Sequence, residues 1–125
     1  MNDDTTTVGE LKRLLTKFVA EREWEMYHDP KNLSMSIAIE AAELMEHFQW
    51  VRTEELDELR KNEQAMAEIR DELADVTAYV LALANALDLD LASALADKME
   101  KNALKYPAAE FRGRYFKPAA GAEPS

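Results

Sequence analysis

The chain has no cysteine, only three glycines and four prolines among 125 residues, and no apolar run approaching the length of a membrane span. Without cysteine there is no disulfide staple, no thiolate metal site and no thiol nucleophile, and a small secreted scaffold is disfavoured. Few glycines and prolines leave little turn chemistry for a sheet-rich fold. The missing apolar run argues against a membrane-spanning helix, and "MNDDTTTVGE" has neither the basic start nor the apolar core of a signal peptide. The expected location is the cytoplasm, with no membrane partner. Positive charge is also scarce: 15 Lys and Arg stand against 25 Asp and Glu, giving a net charge of −10, and the cations are scattered. Such a surface repels a phosphate backbone, so a nucleic-acid partner is not expected.

What is present points to helices. A 47% hydrophobic content over 125 residues fits one domain, and the apolar residues recur at three and four, which predicts an all-α chain. Thr7 and Glu10 have capping-box spacing, so a first helix begins near Val8, with Leu11, Leu14 or Leu15, Phe18 and Val19 as its stripe. "YHDPKN" breaks that pattern at Pro30. A second helix is expected from about Leu33 to Val51 on a seam of Ile37, Ala41, Leu44, Phe48 and Val51. "RTEELDELRKNE" has room for a short helix. A third helix runs from about Glu63 to Leu87 on Ile69, Leu73, Val76, Val80, Leu83 and Leu87. Asp90 then caps a fourth that reaches Tyr106, where Pro107 stops it. The expected domain is 8–116, a bundle of four to five helices, between an N-terminal tail, 1–7, and a disordered tail, 117–125.

Within the second helix, "IAIEAAELMEHFQW" sets Glu40, Glu43 and Glu46 among apolar residues. Glu40 and Glu43 lie about 60° apart on the helical wheel and border the seam. "DELADV" repeats the relation with Glu72 and Asp75 on the third helix. An antiparallel return between these helices brings the pairs opposite one another. Two unit charges about 4 Å apart repel by about 4 kcal/mol at an effective dielectric of 20, and a divalent cation relieves that. Oxygen-only ligation favours Mg²⁺, Mn²⁺ or Ca²⁺ over zinc. The competing di-iron bundle needs Glu-x-x-His on two helices, which His28 and His47 do not provide. The plain alternative is a solvated acidic flank.

On the same wheel Trp50 falls on the face of Glu43, and Tyr79 falls one turn beyond Asp75. Either aromatic is also a reasonable packing residue. Lys98, Asn102 and Tyr106 form a polar row that continues Leu91 and Leu95, where a purely structural helix stays apolar, and it suits a phosphate and a base edge. Lys101 and Lys105 fit the dipole of the helix end. His28 reads as a loop residue and His47 as a partner to the acids.

Four stretches, "AEREWEMYHDPKNL", "IEAAELMEHFQW", "DELADVTAYVLAL" and "DKMEKNALKYP", together resemble the all-α MazG-like nucleotide pyrophosphohydrolases, and most closely their dCTP pyrophosphatase branch. The resemblance implies that Glu40, Glu43, Glu72 and Asp75 bind Mg²⁺, with Mn²⁺ as a substitute, and carry the catalysis. It further implies that Trp24 and Trp50 enclose the base and that Tyr79, Lys98 and Asn102 contact the nucleotide. The implied reaction splits a nucleoside triphosphate between its α- and β-phosphates, and the implied assembly is a homodimer or homotetramer with sites at subunit contacts. Leu15 stands where the dCTP enzymes of animals carry a histidine, which leaves the choice of base open. The rival class is a non-catalytic helical interaction module.

Overall fold

The computed structural model describes residues 1–114, and no strand occurs among them. The expected tail, 117–125, and residues 115 and 116 of the expected domain lie outside the described residues. The chain divides into two compact units, Met1–Leu89 and a second that begins at Asp90. No single helix among the described residues is long and apolar enough to cross a membrane.

The first unit contains α1 (Val8–Glu21), α2 (Pro30–Glu46), α3 (Leu56–Lys61) and α4 (Glu63–Ala86), with 3-10 turns at Glu25–Tyr27 and Thr53–Glu55. The three long helices each start on a side chain that accepts from an otherwise orphaned backbone amide. The Thr7 hydroxyl accepts from the Glu10 amide at 3.1 Å, Asp29 from the Asn32 amide at 2.8 Å, and Asn62 from the Ala65 amide at 3.0 Å. Residues 1–7 form a turn in which the Asn2 carbonyl oxygen of the side chain accepts from the amides of Asp4 and Thr5, each at 3.0 Å.

The bounds of α2 differ from the expected Leu33 to Val51 at both ends. Asp29 caps the helix and Pro30 takes its first position, where a missing N–H costs nothing, so "DPKN" is a start signal rather than only a break. At the other end Phe48 donates to the Met45 carbonyl and Val51 to that of Phe48, both at 2.9 Å, and these short-range bonds draw the chain into turns after Glu46. Trp50 is thereby carried off the helix.

α2 packs along α4 over the most extensive helix pairing, and α1 lies on α4 as well. The buried residues are Leu33, Ile69, Leu81 and Ala84, with Leu33 only 1% exposed. Burial on α4 thus departs from the expected seam: Leu73 is 54% exposed and Leu87 is exposed too. α4 has to serve two partners, and Leu73 faces a groove shared with Leu11, Leu14 and Leu15 of α1. The end of α4 is tied to α1 by polar contacts. Lys12 Nζ donates to the Leu89 carbonyl at 2.7 Å, and Asn85 Nδ2 donates to the Lys12 carbonyl at 3.0 Å and to Thr16 Oγ1 at 3.2 Å. With glycine scarce, the left-handed positions after α1 and α4 fall to Glu23 and Asp88, both at φ 53°.

The second unit contains α5 (Leu91–Lys105) and α6 (Ala108–Phe111). Asp90 accepts from the Ser93 amide at 3.0 Å, as its cap position predicts. Pro107 stops α5 but also opens α6, which the sequence reading did not anticipate; the Tyr106 ring meets Phe111 edge to face at 5.2 Å.

Because Leu33 is the most completely buried side chain, Leu33→Ala is expected to destabilise the protein by about 2–5 kcal/mol in urea unfolding, the usual cost of a deleted core leucine. A loss under about 0.5 kcal/mol, the range of surface changes, contradicts this core.

Candidate metal centre

α2 and α4 owe their mutual packing to apolar residues on both, yet the same faces bring acids together. Glu40 and Glu43 stand one turn apart on α2, and Glu72 approaches from α4, with one oxygen of each within 4.8 Å of the others. All three residues are half-buried. Glu40 Oε2 and Glu72 Oε2 are shut off from solvent and have no hydrogen-bond partner. Two buried carboxylate oxygens without a donor are costly, because they lose water and gain nothing in exchange.

The electrostatics express that cost at Glu40. Burial first, then the hydrogen bonds that only a protonated carboxyl can make to Glu72 and Glu43, then their negative charges push its carboxyl from 4.5 up to about 7. A proton on Glu40 gives the cluster its only internal donor, which a neighbouring carboxylate accepts. A divalent cation is the other remedy, and the donor set suits one: three convergent carboxylates, no sulfur, no imidazole. Glu40, Glu43 and Glu72 therefore fit a hard divalent ion.

The other expected site residues are placed as follows. Asp75 lies one turn beyond Glu72 on α4 and is exposed, outside the three-residue group. Tyr79 is half-buried one turn further. Trp50 is 86% exposed in the turns after α2, so the expected shared helical face with Glu43 does not exist. Trp24 precedes the first 3-10 turn; its ring meets Phe18 edge to face at 5.9 Å, and the Arg22 guanidinium covers Phe18 at 3.7 Å. Lys98, Asn102 and Tyr106 belong to the second unit. There Lys98 is exposed, Asn102 is half-buried with its amide nitrogen 4.0 Å from Met99 Sδ, and Tyr106 ends α5. Glu46 is exposed on α2, away from the cluster. Glu25 and His28 do have Glu-x-x-His spacing, but His28 Nδ1 contacts the Trp24 carbonyl at 3.1 Å and neither residue joins the acids.

His47 Nδ1 lies 4.0 Å from Glu68 Oε2, which links the end of α2 to α4. The sequence reading placed His47 near the acids but did not name Glu68. The signal was available: Glu68 precedes Glu72 by one turn, as His47 follows Glu43 by one turn.

The raised Glu40 carboxyl makes stability depend on pH. Between about pH 4.5 and 7 the folded protein holds a proton that the unfolded chain has released. This contribution is complete below 4.5 and is lost as pH rises through 7. Without metal, the melting temperature is expected to fall across that window, and Glu40→Gln, a permanent mimic of the protonated form, is expected to flatten the fall. At a pH above the window the variant should be the more stable by on the order of 1 kcal/mol. Parallel melting curves for the two proteins contradict the account.

Comparison with known proteins gives the family. Residues 35–115 match the model of the MazG-like family, a stretch that holds Glu40, Glu43 and Glu72. The chain is 37% identical to dCTP pyrophosphatase 1 of Bos taurus over 107 residues, which cover 86% of this chain and 63% of that protein. It is 38% identical to dCTP pyrophosphatase 1 of Homo sapiens over 102 residues, covering 82% and 60%. The chain thus spans less than two thirds of the length of these curated relatives. A crystal structure of a pyrophosphatase from Archaeoglobus fulgidus superposes with a TM-score of 0.74 at 40% identity, covering 86% of this chain and 98% of that one. An all-α fold, acids paired across two of its helices and these matches lead to one assignment: the chain belongs to the MazG-like family.

Proposed function

We propose that this chain is a Mg²⁺-dependent nucleoside triphosphate pyrophosphohydrolase that acts on a deoxynucleotide, with dCTP or a related pyrimidine as substrate, in clearing the nucleotide pool. The observation that carries this reading is the pair of buried, unpartnered oxygens on Glu40 and Glu72 beside Glu43. Oxygens left in that state are what a divalent ion satisfies. The naming of relatives as dCTP pyrophosphatases supports the substrate class.

Glu40, Glu43 and Glu72 hold the ion in this reading, and Asp75, one turn from Glu72, completes the set as the α4 partner of the second pair. When bound, Mg²⁺ neutralises phosphate charge and acidifies water. Water adds across the α–β phosphoanhydride, releasing monophosphate and pyrophosphate, and one carboxylate of the set takes its proton as general base. Trp24 and Trp50 supply ring faces for the base; the high exposure of Trp50 leaves its face open to stack. Lys98 meets phosphate, Asn102 reads a base edge, and Tyr79 and Tyr106 border the nucleotide.

The active form in this reading is a homodimer or homotetramer. Met35, Ile39 and Met45 of α2 are all about half exposed. Large apolar side chains left in water are a reason for association, and a second copy of the chain carries the same ones. The same exposure favours the interaction-module reading if no catalysis accompanies it.

The deciding experiment is pyrophosphate release from a panel of ribo- and deoxynucleoside triphosphates with Mg²⁺. dCTP or another pyrimidine deoxynucleotide is expected to be turned over best, and Glu72→Gln is expected to lower kcat/KM by at least about a hundredfold, as loss of a charge-stabilising group does. Release from none of the nucleotides leaves the interaction module standing.

A further inference from the structure

Acids gathered between two helices push those helices apart, so something has to hold α2 and α4 at ligand distance. Leu33, buried on the same face of α2 two turns before Glu40, contributes to this. The antiparallel register supplies a second device. One turn forward from Glu43 on α2 is His47, and one turn back from Glu72 on α4 is Glu68. His47 Nδ1 and Glu68 Oε2 stand 4.0 Å apart, so the rung next to the carboxylate rung joins a base to an acid. Glu68 is also steadied within its own helix, where Gln64 Nε2 donates to Glu68 Oε1 at 3.0 Å. The His47 side chain is only 24% exposed, against 53% for Glu68, so the imidazole is packed in place.

We infer that the His47–Glu68 pair positions the metal carboxylates: it sets the spacing of α2 and α4 one turn from Glu43 and Glu72, without touching the ion. This rests on the metal reading proposed above. The position of His47 makes its role separable from simple charge. By charge alone, removing a neutral or cationic imidazole near acids leaves Mg²⁺ affinity unchanged or raises it. If His47 acts by positioning, its removal does the opposite. Glu68→Gln weakens Mg²⁺ on either account, so the test for Glu68 is whether its effect survives when His47 is already gone.

The experiment is a calorimetric titration of Mg²⁺ into the full chain for wild type, His47→Ala, Glu68→Gln and the double variant, with His47→Gln included in case the alanine variant does not fold. Each single change is expected to weaken Mg²⁺ binding by about three- to tenfold, and the double variant is expected to be no weaker than the poorer single, as for residues acting as a unit. Unchanged or tighter binding in the His47 variants, while wild type binds Mg²⁺, overturns the inference and leaves the pair a stability contact even if the melting temperature falls. Additive losses in the double variant overturn it as well. If wild type itself takes up no Mg²⁺, the metal reading fails and this inference with it.

Discussion

The packing of α2 along α4 is the constraint on which the rest of the molecule depends. It buries Leu33, the most completely buried side chain, and in the same step it presses Glu40 and Glu43 against Glu72. Hydrophobic burial at about 25 cal/mol per Å² is the force that draws these helices together, and carboxylate repulsion opposes it at the same interface. A structural bundle has no reason to keep such acids, since replacing buried charges with apolar groups is often stabilising. Their retention here goes with buried oxygens that lack a partner and with a Glu40 carboxyl raised by its surroundings to about 7. Local conflict of that kind is where sites are found.

The rest of the fold serves the spacing of those two helices. Asp29 with Pro30, and Asn62, fix where α2 and α4 begin, so they also fix which residues meet across the interface. α1 braces the far side of α4 through Leu11, Leu14 and Leu15, and Lys12 and Asn85 tie its end. The core of a single chain is thin, however, with four buried apolar residues among those described, while Ile39, Met45, Leu14 and Leu73 remain exposed.

Much of this was legible in the sequence for definite reasons. Helical periodicity gave the class of fold and the start of α4 near Glu63, and capping chemistry placed the starts of α1 and α5 at Val8 and Leu91. The acid spacing on two facing helices groups Glu40, Glu43, Glu72 and Asp75, of which the structure brings the first three together and leaves Asp75 exposed outside them. The misses have physical causes too. Proline breaks a helix in its interior but initiates one at its first position, so α2 starts at Pro30, ahead of the expected Leu33. Nothing in "EHFQW" marks the short-range bonds that end α2, so periodicity alone carries the helix through Trp50, which it does not include. A wheel drawn for one partner cannot find the true burial on a helix with two, and hence the periodic seam includes Leu73 and omits Leu81 and Ala84.

The central claim is that Glu40, Glu43 and Glu72 form one divalent-ion site between α2 and α4. Paramagnetic broadening by substoichiometric Mn²⁺ in the NMR spectrum of the protein locates bound metal directly. The account predicts that broadening centres on the residues around Glu40, Glu43 and Glu72 and is reversed by excess Mg²⁺. Broadening spread over exposed acids such as Glu54, Asp57 and Glu58, with the α2–α4 interface untouched, contradicts it.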